Sequence, residues 1–93
     1  MEVSWSEFPH FLQSIRANHG LTQEKLAMMV NCGRIHIWRL EHGQRHPSKQ
    51  FLLLLSYACP LTDDEKLVIF HFVRQSQLAD PRYRHFDVQH VQH

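Results

Sequence analysis

The sequence predicts an all-α protein of five helices with a short C-terminal tail. Apolar residues recur at spacings of three and four, capping residues precede several of these segments, and Gly or Pro follows them. The 93 residues suit one domain, because a chain of this length buries roughly two-thirds of its unfolded surface. We therefore expect one modest core, which a partner subunit would enlarge.

The first helix is predicted over about residues 6–19. Phe8, Leu12 and Ile15 fall on one face of this helix at helical spacing. Gly20 follows as the residue that ends it. This face is expected to lie against the core.

Two short helices with a sharp corner between them are predicted next. The first has Thr22 as its N-cap, and its apolar positions are Leu21, Leu26, Ala27 and Val30. Residues 31–33 break the pattern. Ile37 and Leu40 resume it on one face of a helix over about residues 34–42. Since so few residues separate the two helices, they must meet at an angle.

The fourth helix is predicted to begin after the cap Ser48 and to run towards Pro60. The five consecutive apolar residues 51–55 cover more than one helical face, so we expect burial on several sides. The fifth helix opens with the capping box Thr62 to Glu65 and continues to about Ser76. Its early carboxylates also favour the positive end of the helix dipole.

The tail after Pro81 fits two local structures. Its apolar residues from Phe86 onward alternate as in a short strand, whereas residues 87–91 also suit a further helical turn. We therefore divide the chain into a domain over residues 6–77 and a tail over residues 78–93. The tail is a candidate dimerisation arm.

Positive charge is concentrated around the corner, although the net charge of the chain is only +1. The basic residues of segment 31–50 are Arg34, Arg39, Arg45 and Lys49, and its one acidic residue is Glu41. The remaining chain carries six basic and eight acidic residues. A local excess of this kind suits a partner with a phosphate backbone.

The sequence argues against several other classes of protein. No apolar run is long enough to cross a bilayer and the start lacks signal-peptide features, so we expect a cytoplasmic protein without a membrane partner. Cys32 and Cys59 adjoin apolar positions and are expected to be reduced. The nine histidines lack zinc spacing, so no metal or other cofactor is expected. Acidic residues 63–65 suit a helix start, and no catalytic constellation indicates an enzyme.

Four motifs follow one another in a specific order and spacing. They are Leu12-x3-Arg16, LTQEKLA over residues 21–27, Ile37-x-Arg-Leu-Glu41-x-Gly43 and Arg45-x-Pro47-Ser48. Over about residues 6–60 the chain thereby resembles the Cro and phage-repressor family of helix-turn-helix DNA-binding regulators. The resemblance implies a compact lambda-repressor-like domain. Its recognition helix, about residues 34–42, would enter the major groove, and the preceding helix would cross the backbone.

The resemblance also implies site residues by matching positions. The expected base-contacting residues are Arg34, Ile35, Trp38 and Arg39. The expected phosphate-contacting residues are Gln23, Gln44, Arg45 and Lys49. Arg16 and Glu41 are expected to pair across the first and third helices in a structural role.

Three positions depart from the family pattern. Trp38 stands where a small or polar residue is usual, and either DNA contact or packing on an apolar neighbour suits it. Gly33 replaces the usual Ser or Thr cap, and Asn31 replaces the usual turn glycine.

Arg34 can bond guanine bidentately and Ile35 can pack on a thymine methyl. An exposed isoleucine equally suits a protein partner.

The fifth helix and the tail carry more apolar residues than one core-facing side needs. The candidate dimer-interface residues are Phe70, Val73, Tyr83 and Phe86. A two-fold dimer would present two recognition helices about 34–36 Å apart to double-stranded DNA. The sequence thus predicts a sequence-specific, non-enzymatic transcription regulator, namely a repressor that binds a palindromic operator as a homodimer.

Two other functions fit the same sequence. The domain also resembles antitoxins that bind operator DNA and a toxin, and the fifth helix with the tail would then hold the toxin. A protein-interaction adaptor could retain the scaffold without binding DNA. The presence of Gln23, Arg34, Arg39 and Arg45 argues against the adaptor.

Overall fold

A computed structural model describes residues 4–79 of the chain. A 3₁₀ turn at Trp5–Glu7 is followed by five α-helices: α1 (Phe8–His19), α2 (Gln23–Met29), α3 (Arg34–Glu41), α4 (Lys49–Ala58) and α5 (Asp63–Ala79). This confirms the predicted all-α class with five helices, and residues 4–79 contain no strand. The predicted strand or helical turn in the tail lies outside the described residues.

The helix starts follow the local capping chemistry of the sequence. Backbone amides donate to the side-chain oxygens of Thr22 at 3.0 Å, of Ser48 at 3.0 Å and of Thr62 at 3.1 Å. The Glu65 carboxylate in turn accepts from the Thr62 amide at 2.9 Å, which completes the predicted capping box. The first helix differs from the prediction, because Ser6 lies in the 3₁₀ turn and α1 begins only at Phe8.

One apolar core joins the five helices. Its buried residues are Phe8, Leu12, Ile15, Leu26, Ala27, Val30, Ile37, Leu40, Phe51, Leu52, Leu55, Cys59, Leu61, Ile69 and Phe72. Cys59 is buried and Cys32 is half-buried, and both are free thiols. Burial raises the pKa of both thiols, so their neutral form is favoured.

The predicted burial of α4 on several sides is wrong. Phe51, Leu52 and Leu55 are buried, but Leu53 remains 48% exposed and Tyr57 92% exposed. The contacts of α4 within the described chain are chiefly with α5, on its inward side. A run of apolar residues limits how much of a helix surface could be buried. The number of neighbouring elements decides how much of that surface is buried.

An aromatic cluster links α5 to the start of the chain. The ring of Phe72 lies 5.2 Å from that of Phe8, 5.3 Å from that of Trp5 and 5.9 Å from that of Phe11. Tilted and edge-to-face arrangements at these distances are favourable beyond the area they bury. Residues of α5 therefore belong to the core of the domain.

Among the described helices, none is long and apolar enough to cross a bilayer.

A polar contact joins the end of α1 to the start of α5. The buried carboxylate of Glu65 lies 2.8 Å from Nε2 of His19 and accepts from Nδ2 of Asn18 at 3.3 Å. Burial raises the pKa of Glu65, but hydrogen bonds from His19, the Thr62 amide and Asn18 outweigh burial and lower it below the ordinary 4.5.

The lowered pKa of Glu65 predicts an acid-sensitive contribution to stability. A carboxylate whose pKa is lower in the folded state stabilises the fold above its unfolded pKa and loses this contribution as pH falls through the folded pKa. Glu65→Gln should therefore unfold at lower urea than the wild type at about pH 6, and the gap should close towards about pH 3. Urea unfolding at both pH values measures this. The exposed Glu24→Gln is the control, and an equal, pH-independent gap in both variants would contradict the prediction.

Candidate nucleic-acid interface

The corner between α2 and α3 is built from a left-handed residue and an extended one. Asn31 has a φ of 56°, and Gly33 follows as an N-cap with extended backbone and no side-chain hydrogen bond. The Cys32 amide donates to the carbonyl of Ala27 at 2.9 Å, which turns the chain back over α2. Asparagine tolerates the left-handed region better than most residues, so the corner forms without the usual glycine.

The inward side of α3 is braced by one buried carboxylate. Glu41 is 4% exposed and accepts from Arg16 twice, from Nε at 2.5 Å and from Nη2 at 2.9 Å. The predicted pair of Arg16 and Glu41 is therefore present. The hydrogen bond to Glu41 raises the pKa of Arg16 against the opposing effect of burial. Arg16 also donates to the carbonyl of Leu21 at 3.1 Å, so α1 is tied to α3 and to the start of α2.

Gln23 takes part in the same bracing contact, which the sequence did not predict. Its Nε2 donates to Oε1 of Glu41 at 3.0 Å. Gln13 donates to the backbone carbonyl of Glu41 at 2.9 Å. The phosphate contact expected of Gln23 stays a prediction, and it would use a side chain whose position is already fixed by Glu41.

The outward side of α3 carries the four side chains expected to contact bases. Arg34, Ile35, Trp38 and Arg39 are all exposed, with Ile35 57% and Trp38 37% accessible. At 3.6 residues per turn they occupy an arc of about 140°. Ile37 and Leu40 lie on the opposite side and are fully buried. The structure therefore gathers these four residues on one face, and their base contacts stay a prediction.

Trp38 is packed against His42, a residue that the sequence did not predict to lie in the site. The rings of Trp38 and His42 are stacked with centroids 4.0 Å apart and an interplanar angle of 22°. Nδ1 of His42 lies 2.8 Å from the backbone carbonyl oxygen of Trp38. Since a carbonyl can only accept, Nδ1 carries the hydrogen and donates it. The spacing of four residues between two aromatic rings was the signal that could have revealed this pair.

The loop after α3 holds two of the residues expected to contact phosphate. Gln44 and Arg45 are exposed, and Lys49 is half-buried at the first position of α4. The Gln44 amide donates to the carbonyl of Arg39 at 2.9 Å. His46 stacks on Trp5 with centroids 5.4 Å apart. The loop is thus anchored on both sides of Arg45, and its phosphate contacts stay a prediction.

The residues expected at a dimer interface differ in their surroundings. Phe70 is 61% exposed, whereas Val73 is half-buried and packs against the core. Tyr83 and Phe86 lie outside the described residues. Leu67 is exposed one turn before Phe70 on α5. An apolar surface is therefore available on this helix.

These features define a class of protein: a five-helix domain with a braced corner between α2 and α3, in which one face of α3 is exposed. The sequence profile of a family described as a helix-turn-helix domain matches residues 7–67. The chain belongs to this helix-turn-helix family. No curated protein and no solved structure matches the chain significantly.

Proposed function

We propose that the protein is a sequence-specific DNA-binding transcription regulator. The observation that carries the proposal is the division of α3 into two faces. Its inward face is buried and held by the contacts of Glu41, while its outward face exposes two arginines, an isoleucine and a tryptophan. An α-helix held in this way fits the width of the major groove.

The outward residues have the chemistry needed to read base edges. Arg34 and Arg39 each present a guanidinium that can bond the O6 and N7 atoms of guanine. They lie five residues apart on the exposed arc, so they would face different base pairs. Each bidentate contact would contribute about 1–3 kcal/mol of discrimination. Arg34 and Arg39 are therefore our principal specificity residues.

The surrounding residues suit the DNA backbone. Gln44 and Arg45 follow α3 in an anchored loop, and Gln23 opens α2, where the positive end of the helix dipole favours a phosphate. These contacts would set register and affinity and leave the choice among sequences to α3. The local excess of positive charge is consistent with this arrangement.

A homodimer completes the proposal. The exposed Phe70 of α5 suits a two-fold contact between copies, and the tail with Tyr83 and Phe86 would extend it. Two copies would read the half-sites of a palindromic operator about 34–36 Å apart. We infer that the protein represses transcription in the cytoplasm by occupying such an operator.

Selection of binding sites from random duplex DNA tests this function. The intact protein should enrich sites with two-fold symmetry, and fluorescence anisotropy should show that their affinity falls steeply with salt. A scrambled duplex of the same length and composition is the control. Absence of salt-sensitive binding at low ionic strength, or no enrichment of any sequence, would contradict the proposal.

Two arginine variants should separate base reading from phosphate contact. Arg34→Ala should relax the preference at one base pair of each half-site, with a loss of about 1–3 kcal/mol on the preferred sequence only. Arg45→Ala should weaken binding to all sequences alike and reduce the salt slope by about one. Titrations of the selected and scrambled duplexes at several salt concentrations measure both effects. Equal losses on both duplexes from both variants would contradict this division.

A further inference from the structure

Two large apolar side chains lie next to each other on the outward face of α3. Ile35 and Trp38 are three residues apart, so they are neighbours on the helix surface. Both are exposed, and Arg34 and Arg39 flank them. In the major groove, the apolar group that base edges offer is the C5-methyl of thymine. The surface of α3 thus combines apolar groups, which can contact thymine methyls, with cationic groups, which can bond guanine. A site that contains both bases requires this combination.

The Trp38 side chain is held in place before any ligand binds. One face of the indole is covered by the imidazole of His42, stacked at 4.0 Å. The imidazole is itself fixed by its hydrogen bond to the Trp38 carbonyl. Because 37% of Trp38 stays accessible, this arrangement orients the indole without burying it. A side chain ordered in advance loses less conformational entropy on binding.

Building on the proposed function, we propose that His42 is a positioning residue that holds Trp38 against the methyl group of an operator thymine. His42 acts through its ring, which supports the indole, and through its Nδ1 hydrogen, which fixes the ring. Trp38 makes the apolar contact. Ile35 would contact a neighbouring position in the same way, so the two residues would read different methyl groups.

Replacement of single thymines by deoxyuridine tests the contact with Trp38. The replacement removes only the methyl group and leaves base pairing unchanged. Because one buried methyl contributes about a fourfold change in affinity, one thymine per half-site should show a loss of about fourfold in the wild-type protein. Trp38→Ala should abolish this difference at that thymine, whereas Ile35→Ala should preserve it. An operator in which no methyl effect depends on Trp38 would overturn the proposal.

Two variants of His42 test its positioning role. His42→Phe keeps a stacked ring and loses the imidazole hydrogen bond, whereas His42→Ala loses both the ring and the hydrogen bond. His42→Phe should retain most of the methyl effect because its ring still supports the indole, His42→Ala should lose it, and neither should change the salt slope. If both variants lose affinity equally and the salt slope falls, His42 contacts a phosphate directly and the positioning role is wrong.

A measurement without DNA separates this proposal from the proposed function. The chain has two tryptophans, so Trp5→Phe leaves Trp38 as the single one and keeps an aromatic ring beside Phe72. In this background, His42→Ala should lower the fluorescence anisotropy of Trp38, and His42→Phe should lower it less. Unchanged anisotropy in both variants would overturn the positioning role even if the protein binds DNA. Failure of the wild-type protein to bind any duplex would instead contradict the proposed function, and with it the thymine contact.

Discussion

Glu41→Ala is expected to lower the free energy of unfolding by about 3 kcal/mol, near the low end of the cost of removing one partner of a buried ion pair. The carboxylate is almost fully buried, and its loss leaves the guanidinium of Arg16 without its counter-ion and the side-chain amide of Gln23 without its acceptor. The Arg16 side chain is 24% exposed. Water can therefore reach part of the orphaned charge, which limits the loss.

Urea unfolding followed by circular dichroism measures this effect. Glu24→Ala is the matched control, because Glu24 is an exposed glutamate of α2, and it should change stability by about 0.5 kcal/mol or less. The double variant Arg16→Met with Glu41→Leu should recover much of the loss, since apolar residues of similar size often replace a buried pair well. A Glu41→Ala variant as stable as the control would show that the pair does not brace the corner.

Phe72→Ala is expected to destabilise the protein by about 4 kcal/mol, within the usual range for a buried phenylalanine. Phe72 is fully buried and contacts the rings of Trp5, Phe8 and Phe11. Its removal would leave a cavity between α5 and the start of the chain. The helix-turn-helix family match ends at residue 67, so this variant asks whether the domain extends further.

Phe70→Ala is the control for this prediction in the same helix. Phe70 is exposed, so its truncation should leave the stability of the isolated chain nearly unchanged. Urea unfolding at low protein concentration, where a dimer would dissociate, makes the comparison valid. Equally small losses in both variants would mean that Phe72 does not belong to the core and that the stable domain ends earlier.

Features of the fold that depend on near neighbours in the chain could be predicted from the sequence. The caps Thr22, Ser48 and Thr62 bond amides three residues away. The inward positions Ile37 and Leu40 follow from helical spacing alone. Such interactions require only the residue type and its offset.

Features that depend on how the helices are arranged could not be predicted in this way. The exposure of Leu53 and Tyr57 reflects the absence of any described element over the outer side of α4. The bonds of Gln23 to Glu41 and of His19 to Glu65 join residues 18 and 46 positions apart. Several polar partners were available to each of these residues, and only the tertiary structure selects among them.

The local packing of Trp38 could be predicted only in part. The sequence left DNA contact and apolar packing open, and the structure pairs the indole with His42 while leaving it partly accessible. Spacing alone made the stack feasible, but a rotamer choice decides it. Such choices are made at the surface, where sequence patterns constrain side chains least.

The two faces of α3 have a consequence for protein engineering. Stability depends on the inward residues and on the contacts of Glu41, whereas Arg34, Ile35 and Arg39 extend into solvent. These three positions can therefore be randomised together in a library without selecting against folding. Variants that bind new target sequences would be sought at these three positions first, with the stacked pair of Trp38 and His42 left unchanged.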